Sequence, residues 1–169
     1  LAAFEHHQSN GHFDLDQDVR KYNGLLKYTG TIANIPSRIT FSAYDSQWIS
    51  TNQVPQRAVD SGQISRFGFI DPDLGGESHR YSLSGNFEIN GWDLNLYASS
   101  YYMSLINNPT YFLNNPADGD EFEQEDERVL MGGSLVREDE VEVFGFSARS
   151  KIGSSLRYDD VQELNLFNT

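Results

Sequence analysis

The stretch from His79 to Met103, HRYSLSGNFEINGWDLNLYASSYYM, alternates apolar and polar residues almost without a break and reverses once, at Asn90-Gly91. A period of two belongs to a strand, whose successive side chains point to opposite faces. Asn-Gly between two such runs is the strongest short hairpin signal, because a type I′ turn needs positive φ at both central positions. The prediction is a hairpin with two chemically different faces. In the first arm Tyr81, Leu83, Phe87 and Ile89 share a face with Gly85, against Arg80, Ser82, Ser84, Asn86 and Glu88. In the second, Trp92, Leu94, Leu96, Ala98 and Tyr102 oppose Asp93, Asn95, Ser99 and Tyr101.

The pattern recurs along the chain, giving six expected strands and little that reads as helix: Val19 to Thr29, Arg38 to Trp48, His79 to Ile89, Trp92 to Met103, Arg128 to Val136 and Ser147 to Asp159. In the second, Ile39, Phe41 and Ala43 oppose Thr40, Ser42 and Ser46; in the sixth, Ile152, Leu156 and Tyr158 oppose Lys151, Ser155, Arg157 and Asp159. The VLMGG run of the fifth suits either phase. The links run short, long, short, long, moderate. Gly30 to Ser37 and Asn90-Gly91 are short, Ile49 to Ser78 and Leu105 to Glu127 long, and Arg137 to Phe146 moderate. Long loops rich in Gly, Pro, Asp and Ser commonly carry function.

Most of these strands are about twice the usual globular length and close to the 9–11 residues of a tilted membrane-crossing strand. Aromatic residues stand near strand ends, at Trp48, Tyr81, Trp92, Tyr101, Tyr102 and Tyr158, as belts at a lipid–water boundary would require. The expected fold is therefore all-β: an antiparallel, up-and-down transmembrane β-barrel segment with its apolar face toward lipid and its polar face toward the lumen. Six strands cannot close a barrel that needs at least about eight, and an open edge in hydrocarbon leaves backbone groups unpaired. The expectation is thus an incomplete barrel, all 169 residues belonging to one barrel domain.

Composition narrows the function classes. A formal net charge of −13 argues against nucleic-acid binding, which leaves a basic footprint. Zero cysteines exclude a disulfide framework, thiolate metal ligands and a thiol nucleophile. No apolar run is long enough for a transmembrane helix, and the opening LAAFEHHQSNGHFDLDQD lacks the form of a signal peptide. No nucleophile–base grouping, phosphate loop or catalytic carboxylate pair stands out, so neither enzyme activity nor a cofactor is expected.

The stretches FDLDQDVRKYNGLLKY, SAYDSQWISTNQVPQRAV, RYSLSG, GWDLNLYASSYY, YFLNNPADGDEFEQEDER and IGSSLRYDD resemble, in order, the barrel part of TonB-dependent receptors of the Gram-negative outer membrane. The resemblance implies a place in a larger barrel plugged by a separate domain, which these residues do not include. It implies active uptake of a scarce ligand (a siderophore, cobalamin, metal complex or glycan) driven by the TonB complex. The implied partners are membrane lipid, lipopolysaccharide, the receptor's own plug and that ligand. A passive porin and a soluble antiparallel β-sheet binding protein are the rival readings.

Several clusters qualify as candidate sites. Arg57, Arg66, Phe67 and Phe69 lie in the longest loop and combine the residue types of a binding anchor, with a guanidinium fork suited to carboxylates. The plain alternative is a loop that folds on itself with Phe67 and Phe69 as its core. His6, His7 and His12 have no fixed ligand spacing and read more simply as polar loop residues than as a metal site. Asp14, Asp16 and Asp18 fail the EF-hand pattern, since Val19 and Leu25 stand where Gly and Glu are needed. A looser Ca²⁺ site there, and divalent ions bridging lipopolysaccharide at the acidic run Asp118 to Glu127, are weighed against solvated acidic loops. Arg80, Lys151 and Arg157 are expected to form salt-bridge ladders with acidic residues such as Glu88 and Asp159.

Overall fold

The computed structural model describes residues 1–117 and 119–168. They form one seven-stranded antiparallel sheet in which each strand pairs with its neighbours in sequence. The strands are β1 (Ala2–Ser9), β2 (Val19–Ile32), β3 (Ile35–Ile49), β4 (Gly75–Ile89), β5 (Trp92–Asn107), β6 (Phe122–Val143) and β7 (Phe146–Asn168). The single helix among the described residues, α1 (Gln56–Asp60), is one turn in the β3–β4 loop. The all-β, up-and-down expectation holds, with one strand more than the sequence pattern suggested. The sheet is open, with β1 and β7 at its edges.

The extra strand is β1, whose AAFEHHQS has no clean alternation and so reads as a loop. It forms by pairing with β2, from Ala2 opposite Leu26 to Ser9 opposite Val19. The other strands exceed their expected bounds for the same reason: a neighbour's backbone offers hydrogen bonds wherever the register continues. β6 and β7, of 22 and 23 residues, take in both the acidic residues 122–127 and the moderate link. That link shrinks to the two-residue turn Phe144-Gly145 (φ 52° and 81°).

All three tight turns have the positive φ values of type I′, whose twist matches the flanking strands. Asn90 and Gly91 (φ 51° and 78°) are the pair legible in sequence. Ala33-Asn34 (φ 49° and 66°) makes the same turn with a less permissive first residue. These turns lie at one end of the sheet, and the loops of residues 10–18, 50–74 and 108–121 at the other.

The register settles which residues share a face, because directly opposed residues in an antiparallel pair project to the same side. Tyr28 pairs with Ile39, Ile39 with Gly85, Gly85 with Leu96, Leu96 with Gly133 and Gly133 with Leu156. Thus VLMGG takes the phase that puts Val129, Met131 and Gly133 on the apolar side. Almost nothing covers that side. Among the described residues, the only buried apolar side chains are Ala58 and Leu74, both in the β3–β4 loop.

Candidate functional site: an apolar band and a polar wall

The first functional surface is the apolar face itself. Leu26, Phe41, Leu83, Leu96, Met131 and Leu156 lie on it and are all exposed. Burying each would gain roughly 1.5–3 kcal/mol, so such a face in water is a large unspent driving force. From His79 to Ile89 the strand advances about ten residues, or about 33 Å at about 3.3 Å each. With the 35–45° tilt usual for membrane strands this is about 25 Å of height, the thickness of an outer-membrane apolar band.

Polar aromatic groups and ion pairs bracket the band. At the loop end His6 stacks on Tyr22 (centroids 4.7 Å apart) and His79 on Tyr102 (4.9 Å). One step beyond, Arg20 pairs with Asp18 at 2.9 Å. At the turn end the Arg137 guanidinium sits 5.8 Å from the Trp92 ring centroid, and Arg137 pairs with Asp139 at 2.7 Å. Rings with one polar edge suit such a boundary. Three expected belt residues fall elsewhere. Trp48 pairs with Gly76, and Tyr101 with Arg80, on the polar face. Tyr158, opposite Met131, lies within the band rather than at its end.

Glycines shape both faces. A Cβ on Gly85 would meet the Phe87 ring at 2.6 Å, and one on Gly132 would meet Tyr97 Oη at 2.5 Å and the Leu156 carbonyl at 2.6 Å. In each case an aromatic ring lies over a missing side chain, a means by which sheets cover strand glycines. The buried Ser37, level with Phe87, donates its hydroxyl to the Ile35 carbonyl at 2.8 Å.

The opposite face is a polar wall. Ser82 and Ser99 share a hydrogen bond of 2.8 Å, and Lys151 pairs with Glu138 at 2.6 Å. The expected ladders prove more local than cross-barrel. Arg157 pairs with Asp159 at 2.8 Å and Arg128 with Asp126, each two positions away on its own strand. Residues two apart on a strand share a face, so DER and RYD were legible signals that the sequence reading missed. Arg80 has neither partner: its guanidinium lies 4.9 Å from the Tyr101 ring centroid and makes no ion pair among the described residues. Beyond an irregularity in β7, opposite Glu127/Arg128, the alternation shifts, and Leu164 and Leu166 lie opposite Asp126 and Gln124 on the polar side.

The loop end forms a third region. Phe67 packs against His12 (5.6 Å) and Phe13 (6.4 Å) of the β1–β2 loop, rather than making a private core with Phe69. Asp14 accepts the Ser65 hydroxyl, and its N–H donates to the Phe67 carbonyl at 2.9 Å. Arg57 and Arg66 are exposed and form no ion pair among the described residues. The long loop also reaches the β5–β6 loop. Asn52 donates to the Asn108 carbonyl (2.8 Å), Asn108 to Asp71 (2.9 Å) and Tyr111 to the Gln53 carbonyl (3.1 Å). Burial, reinforced by Asp71, pushes the Tyr111 phenol up. Asp120 accepts the N–H groups of Asn114 (2.9 Å) and Asn115 (2.7 Å) and the Thr110 hydroxyl (2.7 Å). The Asn114 bond leads in holding its carboxyl below the usual range.

No group of three or more His, Asp or Glu side chains converges to hold a metal among the described residues. His6 and His7 are consecutive on β1 and so face opposite ways, and Asp18 is engaged with Arg20. Of the acidic run, Asp118 lies outside the described residues, and Phe122 to Glu127 belong to β6 rather than to a loop. No helix among the described residues is long and apolar enough to cross a membrane, which bears only on helices. Comparison with protein-family models, curated proteins and solved structures finds no match.

Proposed function

We propose that this chain is part of the wall of an outer-membrane β-barrel, and specifically of the barrel of a TonB-dependent receptor that takes up a scarce ligand. The observation that carries the membrane reading is the exposed apolar face, bounded at both ends by polar aromatics and Arg–Asp pairs. Lipid is the partner that such a band satisfies without a second protein layer. The strict sequence-neighbour pairing, tight turns at one end and long loops at the other support the same reading. The receptor assignment rests on the resemblance of the quoted stretches.

In this setting the turns face the periplasm and the loops the exterior. The unpaired backbone of β1 and β7 is satisfied by further strands, since open edges are costly in hydrocarbon. The polar wall faces the plug or the ligand path. Arg57 and Arg66, exposed on the longest loop, then sit where an incoming ligand first arrives, and the protein works by binding and transport rather than by catalysis.

The test is lipid accessibility. Spin labels at Leu83, Phe87, Leu94 and Leu96 in the protein reconstituted into bilayers should report hydrocarbon. Labels at Ser82, Asn86, Asn95 and Ser99 should report water or protein. Equal oxygen and nickel-chelate accessibility for the two sets would sink the membrane reading.

A further inference from the structure

We infer that the polar wall carries a binding site for a small, hydroxylated monocarboxylate, centred on Arg80. The inference rests on the reading that this face is open to water in the assembled barrel. A cavity of about 420 Å³ lies on it between β1 and β4, lined by Glu5, Asn23, Leu25, Ser42, Tyr44 and Arg80 among others. That volume is within the usual range for small-molecule sites.

The charge pattern decides the ligand class. Glu5, the carboxylate of the cavity, is already engaged by Lys21 (3.1 Å) and Asn23 (2.8 Å). Arg20, Arg128, Arg137 and Arg157 are each held by an aspartate two positions away. Arg80 has Ser78 and Ser82 at those positions, and Tyr44 and Tyr101 directly across from it. Its guanidinium is therefore steadied by a ring, 4.9 Å away, but left without an anion among the described residues. A flat fork of donors held against an aromatic face is preorganised for a planar carboxylate.

The rest of the cavity defines what the carboxylate is attached to. The hydroxyls of Tyr44 and Ser42 have no hydrogen-bond partner among the described residues, so they are available to ligand hydroxyls. Leu25 supplies an apolar surface for a carbon chain. Arg80 is the one cation lining this cavity, and a single positive charge there, in a chain of net charge −13, favours a monoanion over a phosphate dianion.

The experiment is calorimetric titration of the purified protein in detergent micelles with D-gluconate, with glucose and inorganic phosphate as controls at matched ionic strength. Gluconate should bind in preference to both. Arg80→Gln should weaken it by about tenfold or more, as expected for loss of a charge-assisted hydrogen bond. Arg80→Lys should retain an intermediate affinity, and Tyr101→Leu should weaken binding by unseating the guanidinium. Unchanged circular dichroism and heat-modifiable mobility would establish that the variants fold. Absence of gluconate binding at millimolar concentration, equal binding by wild type and folded Arg80→Gln, or tighter binding of phosphate would each overturn the site. Failure of the spin-label test with gluconate binding intact would instead overturn the membrane reading and leave the site standing.

Discussion

The sheet and its loop end are held together in opposite ways. In the sheet, backbone ladders supply the cohesion and the apolar side chains are left exposed, Leu83 at 52% and Leu156 at 77%. At the loop end the relation reverses. Leu74 is 1% exposed and Asn108 4%, and side chains such as Asn52, Tyr111 and Asp120 satisfy a backbone that has no ladder. The difference teaches where each region finds its partner. The loops make their own core, whereas the wall awaits a surrounding medium.

The sharpest way to break that contrast is to hollow out the one region with a core. Leu74→Ala should cost about 2–5 kcal/mol locally, the range for a buried leucine. Hydrogen exchange should rise across residues 50–74 and 108–121 while β4 and β5 stay protected. Exchange rising equally throughout would mean that the loops and wall form a single cooperative unit.

Next in size is a charge placed on each face of β5. Leu94→Arg should destabilise the protein in bilayers by roughly 2–4 kcal/mol, and the adjacent polar-side Asn95→Arg by much less. Refolding titrations in lipid vesicles measure both. Equal losses would place a protein core, not lipid, against the apolar band.

A smaller effect tests how the wall is packed within itself. Gly132→Ala drives a methyl group against the Leu156 carbonyl, which cannot rotate away, as well as against Tyr97. A loss of about 1–3 kcal/mol is expected, typical of overpacking, and a Tyr97→Leu background should relieve part of it. No relief in the double variant would mean that the backbone clash alone sets the cost.

Acid gives the mildest perturbation, and at the loop end it acts through Asp120. The folded Asp120 has its pKa lowered, so its contribution is present above the ordinary aspartate value of about 3.9 and is lost as pH falls through the lower folded value. The Asn114 and Asn115 amide resonances should shift below about pH 3.9. A transition centred between pH 5 and 7 would show that another group controls this loop.

How much of this was legible in the sequence differs residue by residue. Period two at Tyr81 to Ile89 and Trp92 to Tyr102 predicted two faces, and the register bears them out because a pleated strand has only two sides. The Asn90-Gly91 turn was legible since few other pairs tolerate positive φ twice. Phe144-Gly145 was not: its first residue is a poor fit for that geometry, and pairing of the long β6 and β7 arms closes it. β1 was missed because AAFEHHQS has no pattern of its own and becomes a strand only against β2. The Arg–Asp pairs are legible in sequence, since residues two apart on a strand share a face. The place of Arg80 against Tyr101 is not, because it depends on which residues of two strands stand opposite.

What the sequence determined by itself is therefore the local grammar: strand period, face chemistry, the Asn-Gly reversal and the strong negative charge, each fixed by neighbours a few bonds apart. The tertiary structure alone decided register. Register leaves Arg80 beside Tyr44 and Tyr101 without a carboxylate, and it brings together the loops in which Phe67 meets His12 and Phe13. The physical reason is that slipping a strand by one residue keeps its alternation intact while exchanging every partner across the ladder.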